Sequence, residues 1–138
     1  MAGVFMYTYY NYSGDYGPHP HVGNMVWESG QNSNFRRAYW TGEQMQMTLM
    51  SVPIWENLGL EMIRDIEQMI RVEQGQGLIQ MGADRNRMAQ QYVSFGDVAF
   101  VPAGTWYNVW NTGSEPLKLS IIYVPAHEDR GALQENKE

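Results

Sequence analysis

From about residue 43 onward, hydrophobic and polar residues alternate, with the two-residue period of half-buried β-strands. The alternation predicts strands at 44–52, 58–64, 68–73, 78–81, 92–95, 98–101, 106–110 and 118–124. Glycine, proline and asparagine separate most of these segments, and the polar run at 83–91 predicts a hairpin loop. Short strands at this spacing indicate an all-β sandwich or a small barrel.

The two ends of the chain lack this period. Residues 1–35 predict an irregular arm with a short helix near residues 22–29. The arm holds a group of tyrosines: Tyr7, Tyr9, Tyr10, Tyr12 and Tyr16. Because disordered segments carry few aromatic residues, we expect the arm to pack on the domain or on a partner subunit. Residues 128–138 form a charged tail that we expect to fray, which leaves one domain over 1–138 with its core at about 36–127.

Composition narrows the classes of function. The 138 residues carry a net charge of −6, which argues against a nucleic-acid partner. The absence of cysteine excludes disulfides, thiolate metal sites and a cysteine nucleophile, and agrees with a cytoplasmic location. No apolar stretch approaches the ~20 residues of a membrane span, so we expect no membrane partner.

The segment GDVAFVPAGTWYNVWN predicts two strands around a tight turn, since Gly104 after Pro102 can take a positive φ. It resembles the second signature motif of the cupin superfamily, G-x5-P-x-G-x2-H-x3-N. Gly96, Pro102, Gly104 and Asn111 stand at the expected positions. The family usually has a metal-binding histidine where this chain has Tyr107.

A second segment, GLEMIRDIEQMIRVEQGQGLIQMG, resembles the first cupin motif and a bacterial cupin subgroup. Anchored on Gly75, the two histidine positions of that motif fall on Glu61 and Ile63, and its glutamate position falls on Gln68. The resemblance covers about residues 36–127. It implies a jelly-roll barrel (a double-stranded β-helix), a homodimer, and a site inside the barrel at residues 61, 63, 68 and 107.

The four side chains that the resemblance places in the barrel form a poor set of metal ligands. Transition metals prefer imidazole, thiolate or several carboxylates. Glu61, Ile63, Gln68 and Tyr107 supply one carboxylate, one hydrocarbon, one neutral amide and one phenol. We therefore expect no metal cofactor, with a divalent metal left as an open alternative.

The same substitutions predict an apolar cavity. Ile63 replaces a ligand with a hydrocarbon, and Trp55, Met69 and Met47 are expected to add apolar walls. Trp55 is equally consistent with a stacking platform and with a loop residue at the barrel end or in a subunit contact. Natural divergence and deliberate redesign of a cupin pocket both predict such a set of substitutions. Cavities of this kind bind small molecules through a few polar groups, here a small apolar or aromatic molecule.

Three hypotheses for the function follow. The first is a metal-free binding protein with Glu61, Gln68 and Tyr107 as polar contacts. The second is an acid–base isomerase or lyase, in which Glu61 takes a proton from carbon and Tyr107 stabilises the oxyanion. In its simpler structural interpretation, Tyr107 only satisfies the Glu61 carboxylate. The third is a metallo-cupin oxygenase or isomerase that uses Glu61, Gln68 and a histidine of the arm, such as His19 or His21.

Overall fold

The structure, a computed structural model, describes residues 14–137. Four tyrosines of the predicted aromatic group, at positions 7, 9, 10 and 12, lie outside the described residues. Within that range the elements are α1 (Met25–Gln31), β1 (Arg36–Thr41), β2 (Gln46–Val52), β3 (Glu61–Met62), β4 (Glu67–Gln74), β5 (Gln76–Asp84), β6 (Arg87–Ser94), β7 (Val98–Val101), β8 (Trp106–Asn111), β9 (Leu117–Val124) and β10 (Leu133–Gln134).

The strands form two antiparallel sheets that pack face to face. The six-stranded sheet has the order β10-β1-β2-β9-β4-β7, and the four-stranded sheet has the order β3-β8-β5-β6. Neighbouring strands are therefore often distant in sequence, as in Greek-key barrels. The predicted all-β jelly-roll fold is confirmed.

The core lies between the sheets and consists of every second residue of the central strands. Strand β9 shows this clearly, since Leu117, Leu119, Ile121 and Tyr123 all pack into the core cluster. Gly75 connects β4 to β5 at a φ of 93°, and a Cβ there would lie 3.1 Å from the Pro116 carbonyl oxygen. Glycine is therefore required at this turn.

Two predictions of local structure are wrong. The polar run at 83–91 is not a loop, because β5 and β6 continue to a two-residue turn at Arg85 and Asn86. Its residues are polar since β6 is an edge strand that exposes both faces. The segment 58–64 forms only the two-residue strand β3, because the chain pairs with β8 over that short distance alone.

The arm and the tail are both held to β1 by Asp15. Its fully buried carboxylate accepts hydrogen bonds from the backbone N–H groups of Gly17, Thr41 and Gly131 and from the Thr41 hydroxyl. The tail does not fray as expected, since β10 pairs with β1. In the described part of the chain, no helix is long and apolar enough to cross a membrane.

Candidate functional site

Glu61 and Tyr107 meet inside the barrel, as the pairing of β3 with β8 places them directly opposite each other. The Tyr107 hydroxyl donates a hydrogen bond of 2.8 Å to Glu61 Oε1. Tyr107 is 2% exposed, whereas Glu61 is half-buried. The turn before β8 fixes this contact, because the Gly104 N–H donates to the Ile63 carbonyl oxygen over 2.8 Å. The site thus consists of a solvent-accessible carboxylate held by a buried phenol.

Gln68 faces the same space from β4 in the opposite sheet. Its register partners are Tyr123 on β9 and Val101 on β7, both of which belong to the core. The side chain is 5% exposed, and its Oε1 atom has no hydrogen-bond partner among the described residues. An unpaired buried acceptor of this kind destabilises a fold by about 1–3 kcal/mol. The barrel therefore contains a carbonyl oxygen that is free to accept a hydrogen bond.

Three further residues of the site were not predicted from the sequence. Arg36 and Glu128 form an ion pair of 2.8 Å with side chains that are 17% and 20% exposed. Tyr123 is 1% exposed, and the charges of Arg36 and Glu128 are both close enough to influence its pKa. The period of two in β9 could have identified Tyr123, but nothing local could pair Arg36 with a residue of the tail. We call the six residues the inner polar cluster: Arg36, Glu61, Gln68, Tyr107, Tyr123 and Glu128.

Both phenols of the cluster are held in the protonated form. Burial, followed by the neighbouring Tyr123 and Glu61, raises the pKa of Tyr107 well above its ordinary range, although Gln68 lowers it. Burial also raises the pKa of Tyr123, with Arg36 acting in the opposite direction. The hydroxyl of Tyr107 therefore keeps its hydrogen, and its one donor hydrogen bond is made to Glu61. That leaves no proton on Tyr107 for an oxyanion.

The cation of the cluster stays charged. Burial alone lowers the pKa of Arg36, but Tyr123 and Glu128 raise it by more, so that the net shift is upward. The guanidinium Nε atom is buried without a hydrogen-bond partner among the described residues. With Glu128 as its counter-ion, Arg36 contributes a fixed and largely compensated positive charge to the barrel.

The structure brings together only some of the predicted site residues. Ile63 lies two residues after Glu61, on the same face of the chain, and packs against the core. Met47 and Met69 were expected to line the barrel, but both face the opposite side of the six-stranded sheet, each paired with Ile122. Met69 directly follows Gln68, and adjacent strand residues point to opposite faces.

Trp55 also lies away from the cluster. The loop that contains Trp55 pairs with the far end of β8 through a β-bridge between Asn57 and Trp110. Trp110 lies three residues after Tyr107, which is about 10 Å along the strand. Trp55 is 88% exposed and has a φ of 70°. Trp55 therefore does not line the barrel site, and its position agrees with the alternative of a loop residue at the barrel end, because residues 53–58 pair with the end of the barrel opposite the site.

A cavity of about 470 Å³ lies on the outer face of the six-stranded sheet, beneath the arm. It is lined by Pro20, His21, Gly23, Met25, Tyr39, Trp40, Met45, Gln46, Met47 and Ile122. His21 Nε2 lies 2.7 Å from the Tyr39 hydroxyl, and burial lowers the pKa of this histidine. His21 is thus separated by the sheet from Glu61 and Gln68, so that this histidine of the metallo-cupin hypothesis does not reach the barrel.

The donor set does not fit a transition metal. Within residues 14–137, no group of three or more histidine, cysteine, aspartate or glutamate side chains is placed to hold a metal ion. At the four positions implied by the cupin motifs, Glu61 is the single carboxylate, and the phenol of Tyr107 remains protonated. A neutral phenol and an amide are weak ligands beside a lone carboxylate.

Comparison with known proteins places this geometry in a family. Residues 63–124 match the model of the cupin domain. Over 124 residues the chain is 46% identical to the uncharacterized protein YrkC of Bacillus subtilis, covering 89% of this chain and 67% of YrkC. The chain belongs to the cupin superfamily.

Two further relatives are similar to the chain over most of its length. The cupin is similar to a Bacillus halodurans protein of known crystal structure, with a TM-score of 0.88 and 45% identity over 89% of this chain and 94% of that one. It is also 32% identical over 114 residues to an uncharacterized protein of Acanthamoeba polyphaga mimivirus, covering 82% of this chain and 70% of the relative.

Proposed function

We propose that this cupin binds a small, largely apolar or aromatic molecule between its two sheets, without a metal ion. The observation that carries the proposal is the unpaired Gln68 Oε1 atom beside the Glu61–Tyr107 pair. Most buried polar side-chain atoms in folded proteins have a hydrogen-bond partner, so an unpaired one suggests a partner that the chain itself does not supply. The proposed ligand therefore carries an N–H or O–H group that donates to Gln68.

The walls and charges of the barrel support the type of ligand. Ile63 and Met81 are half-buried against the core and offer apolar surface near the cluster. Arg36 is compensated by Glu128, so that the remaining negative charge of Glu61 disfavours an anionic ligand. A neutral molecule with one donor group suits this site better than a carboxylate or a phosphate.

The loss of metal chemistry is part of the proposal. The positions where cupins usually hold a metal carry Glu61, Ile63, Gln68 and Tyr107, and their donor atoms do not make a transition-metal site. In this role Glu61 and Gln68 recognise hydrogen-bond donors, and Tyr107 orients Glu61. The acid–base alternative is weaker because Tyr107 has no second proton to offer a developing oxyanion.

Matched pairs of small aromatic probes test the proposal. Indole and phenol are compared with N-methylindole and anisole, which lack the donor, using ligand-observed NMR. We expect the donor-bearing probes to bind more tightly to the intact protein. Gln68→Leu should remove this preference, whereas Gln44→Leu, at an exposed loop position, should retain it. An unchanged preference in Gln68→Leu would contradict the proposal.

A further inference from the structure

A second cavity, of about 630 Å³, lies at one end of the six-stranded sheet and outside the barrel. Ser51 of β2 and Lys118 of β9 are register partners, and both border it. Leu117 and Leu119, on either side of Lys118, pack into the core, so the Lys118 side chain points away from the barrel. The loops and the tail add further polar groups to the lining: Ser33, Glu56, Glu135, Asn136 and Lys137. The cavity is large enough for a small molecule and is bordered by a lysine.

Lys118 is buried to a degree that is rare for lysine. It is 7% exposed, whereas lysine is almost never fully buried without an ionic partner. Its Nζ atom donates a hydrogen bond of 2.5 Å to the carbonyl oxygen of Asn32, at the end of α1. An ammonium group has three N–H donors, and with the described residues Lys118 makes this one hydrogen bond and no ion pair. The protein therefore stabilises the charged form of this amine poorly.

The charged groups around Lys118 do not offset its burial. On the adjacent strand β4, Glu73 Oε1 lies 3.3 Å from Arg71 Nε, so this acid already has a basic partner. Glu56 and Glu135 border the cavity, but both are exposed to solvent. Burial accordingly lowers the pKa of Lys118, and none of these acids opposes the shift. At neutral pH, a larger fraction of this lysine is therefore the uncharged, nucleophilic amine than in an ordinary lysine.

We propose that Lys118 is a carbonyl-reactive site, which forms an imine with small neutral aldehydes that enter this cavity. The uncharged Nζ atom attacks the carbonyl carbon, so that a C–N bond forms and the carbonyl oxygen takes one proton from the nitrogen. The resulting carbinolamine loses this hydroxyl group together with the second nitrogen proton, as water, and a C=N bond remains. The step needs no oxidant or reductant. Desolvated lysines are the ones that proteins use for Schiff-base chemistry.

The charges of the cavity favour a neutral aldehyde over an anionic one. Among the described residues that border it, Glu56 and Glu135 are acids, and Lys137 is the one base besides Lys118. When Lys118 is uncharged, one negative charge is therefore left in excess. Such an excess disfavours the approach of an aldehyde that carries a carboxylate.

The first test compares the two lysines of the chain, since Lys118 and Lys137 are the only ones in the sequence. The intact protein is treated with propanal and sodium cyanoborohydride at neutral pH, which converts an imine into a stable secondary amine. Peptide mass spectrometry then locates the adduct. We expect Lys118 to be labelled at least about tenfold faster than Lys137. Lys137→Arg should retain the fast label, and Lys118→Arg should lose it.

A second test measures the ionisation of the amine directly. Trace acetylation by acetic anhydride at a series of pH values reports the fraction of each lysine that is uncharged. The rate at Lys118 should reach its maximum below pH ~10.4, the ordinary pKa of lysine. A lysine that served only to hold the end of α1 as a charged group would not show this early maximum.

The third test addresses the charge of the aldehyde. Propanal is compared with glyoxylate, which carries a carboxylate, and each rate at Lys118 is divided by the rate of the same aldehyde with Nα-acetyl-lysine amide. This ratio removes the difference in intrinsic reactivity. We expect the larger ratio for propanal, and a larger ratio for glyoxylate would overturn the assignment to neutral aldehydes.

Three other results would overturn the proposal itself. These are equal labelling of Lys118 and Lys137, labelling of Lys118 in urea but not in the folded protein, and acetylation of Lys118 that still rises above pH ~10.4. Both lysines are compared within the intact chain, so the outcome does not depend on whether Lys118→Arg folds. The site lies outside the barrel, and its failure would leave the proposed binding function untouched.

Discussion

The Tyr107 hydroxyl donates a hydrogen bond of 2.8 Å to Glu61, across the pairing that attaches β3 to the rest of the four-stranded sheet. The donor is buried and the acceptor is half-buried, so this bond orients a carboxylate at the boundary between core and solvent. The hydroxyl hydrogen of Tyr107 is engaged by Glu61 in this arrangement. The environment of the phenol leads to a prediction for alkaline pH.

Stability should fall as the pH rises above about 10, the ordinary pKa of tyrosine. The pKa values of Tyr107 and Tyr123 are raised in the folded state, so the unfolded chain loses these protons first. The stabilisation is therefore complete below pH ~10 and is lost as the pH rises toward the folded-state values. Tyr107→Phe should reduce the slope of unfolding free energy against pH by about 1.4 kcal/mol per unit.

Urea unfolding at a series of pH values from about 9 upward measures this slope, because the range includes the ordinary tyrosine pKa of ~10. Tyr92→Phe, on the exposed edge strand, controls for the loss of any tyrosine. Equal slopes for Tyr107→Phe and the intact chain would show that Tyr107 ionises as readily when folded as when unfolded.

Gln68→Met should stabilise the protein without ligand by about 1 kcal/mol, because it removes a buried acceptor that has no partner. Methionine has a similar volume and an apolar body, so the core should repack with little strain. The midpoint of urea unfolding measures the change. Gln44→Met, in an exposed loop, should leave it unaltered. A large destabilisation by Gln68→Met would mean that the amide makes a bond the fold requires.

Ile63→His combined with Tyr107→His should create a tight site for a divalent transition metal. Both positions share the barrel face of Glu61, so that two imidazoles and a carboxylate would converge. Elemental analysis after metal loading and dialysis should find near-stoichiometric metal in the double variant. The same analysis of the intact protein tests the proposed loss of metal. Near-stoichiometric metal in the intact protein that is absent from Glu61→Ala would refute this loss.

Asp15→Ala should destabilise the fold by more than about 3 kcal/mol, since four donors lose a buried carboxylate. Thr41→Val, which removes one of the four, should have a smaller effect. Limited proteolysis should then cleave the tail near Gly131 faster in Asp15→Ala than in the intact chain. Equal cleavage would show that β10 holds the tail without help from Asp15.

The sequence was sufficient for the fold and for half of the inner polar cluster. The resemblance to the second cupin motif located Tyr107, and the resemblance to the first motif, anchored on Gly75, located Glu61 and Gln68. Met69 was misplaced although the rule that excludes it is local: if Gln68 faces inward, its neighbour must face outward. That rule applies wherever a strand is continuous, and it holds in β4 up to Val72, where the register with β9 shifts.

No pattern in the sequence predicts the ion pair between Arg36 and Glu128. The two residues are separated by 92 positions, and one of them lies in a segment whose charges predict a frayed tail. The side chain of Gln46 hydrogen-bonds the backbone N–H and carbonyl of Glu128, and the anchoring of the tail at Asp15 and β10 adds to this in bringing Glu128 back to the barrel. Long-range contacts of single side chains lack the periodicity that makes strands recognisable.

The alternation of Gln68 and Met69 has a thermodynamic consequence. Gln68 faces the barrel and Met69 faces the outer side of the six-stranded sheet, one residue apart on the same strand. A barrel ligand that displaced β4 would therefore also move the outer face of the sheet. Any molecule bound on that face would change the affinity of the barrel for its ligand by the same factor by which the ligand changes the affinity of the outer face.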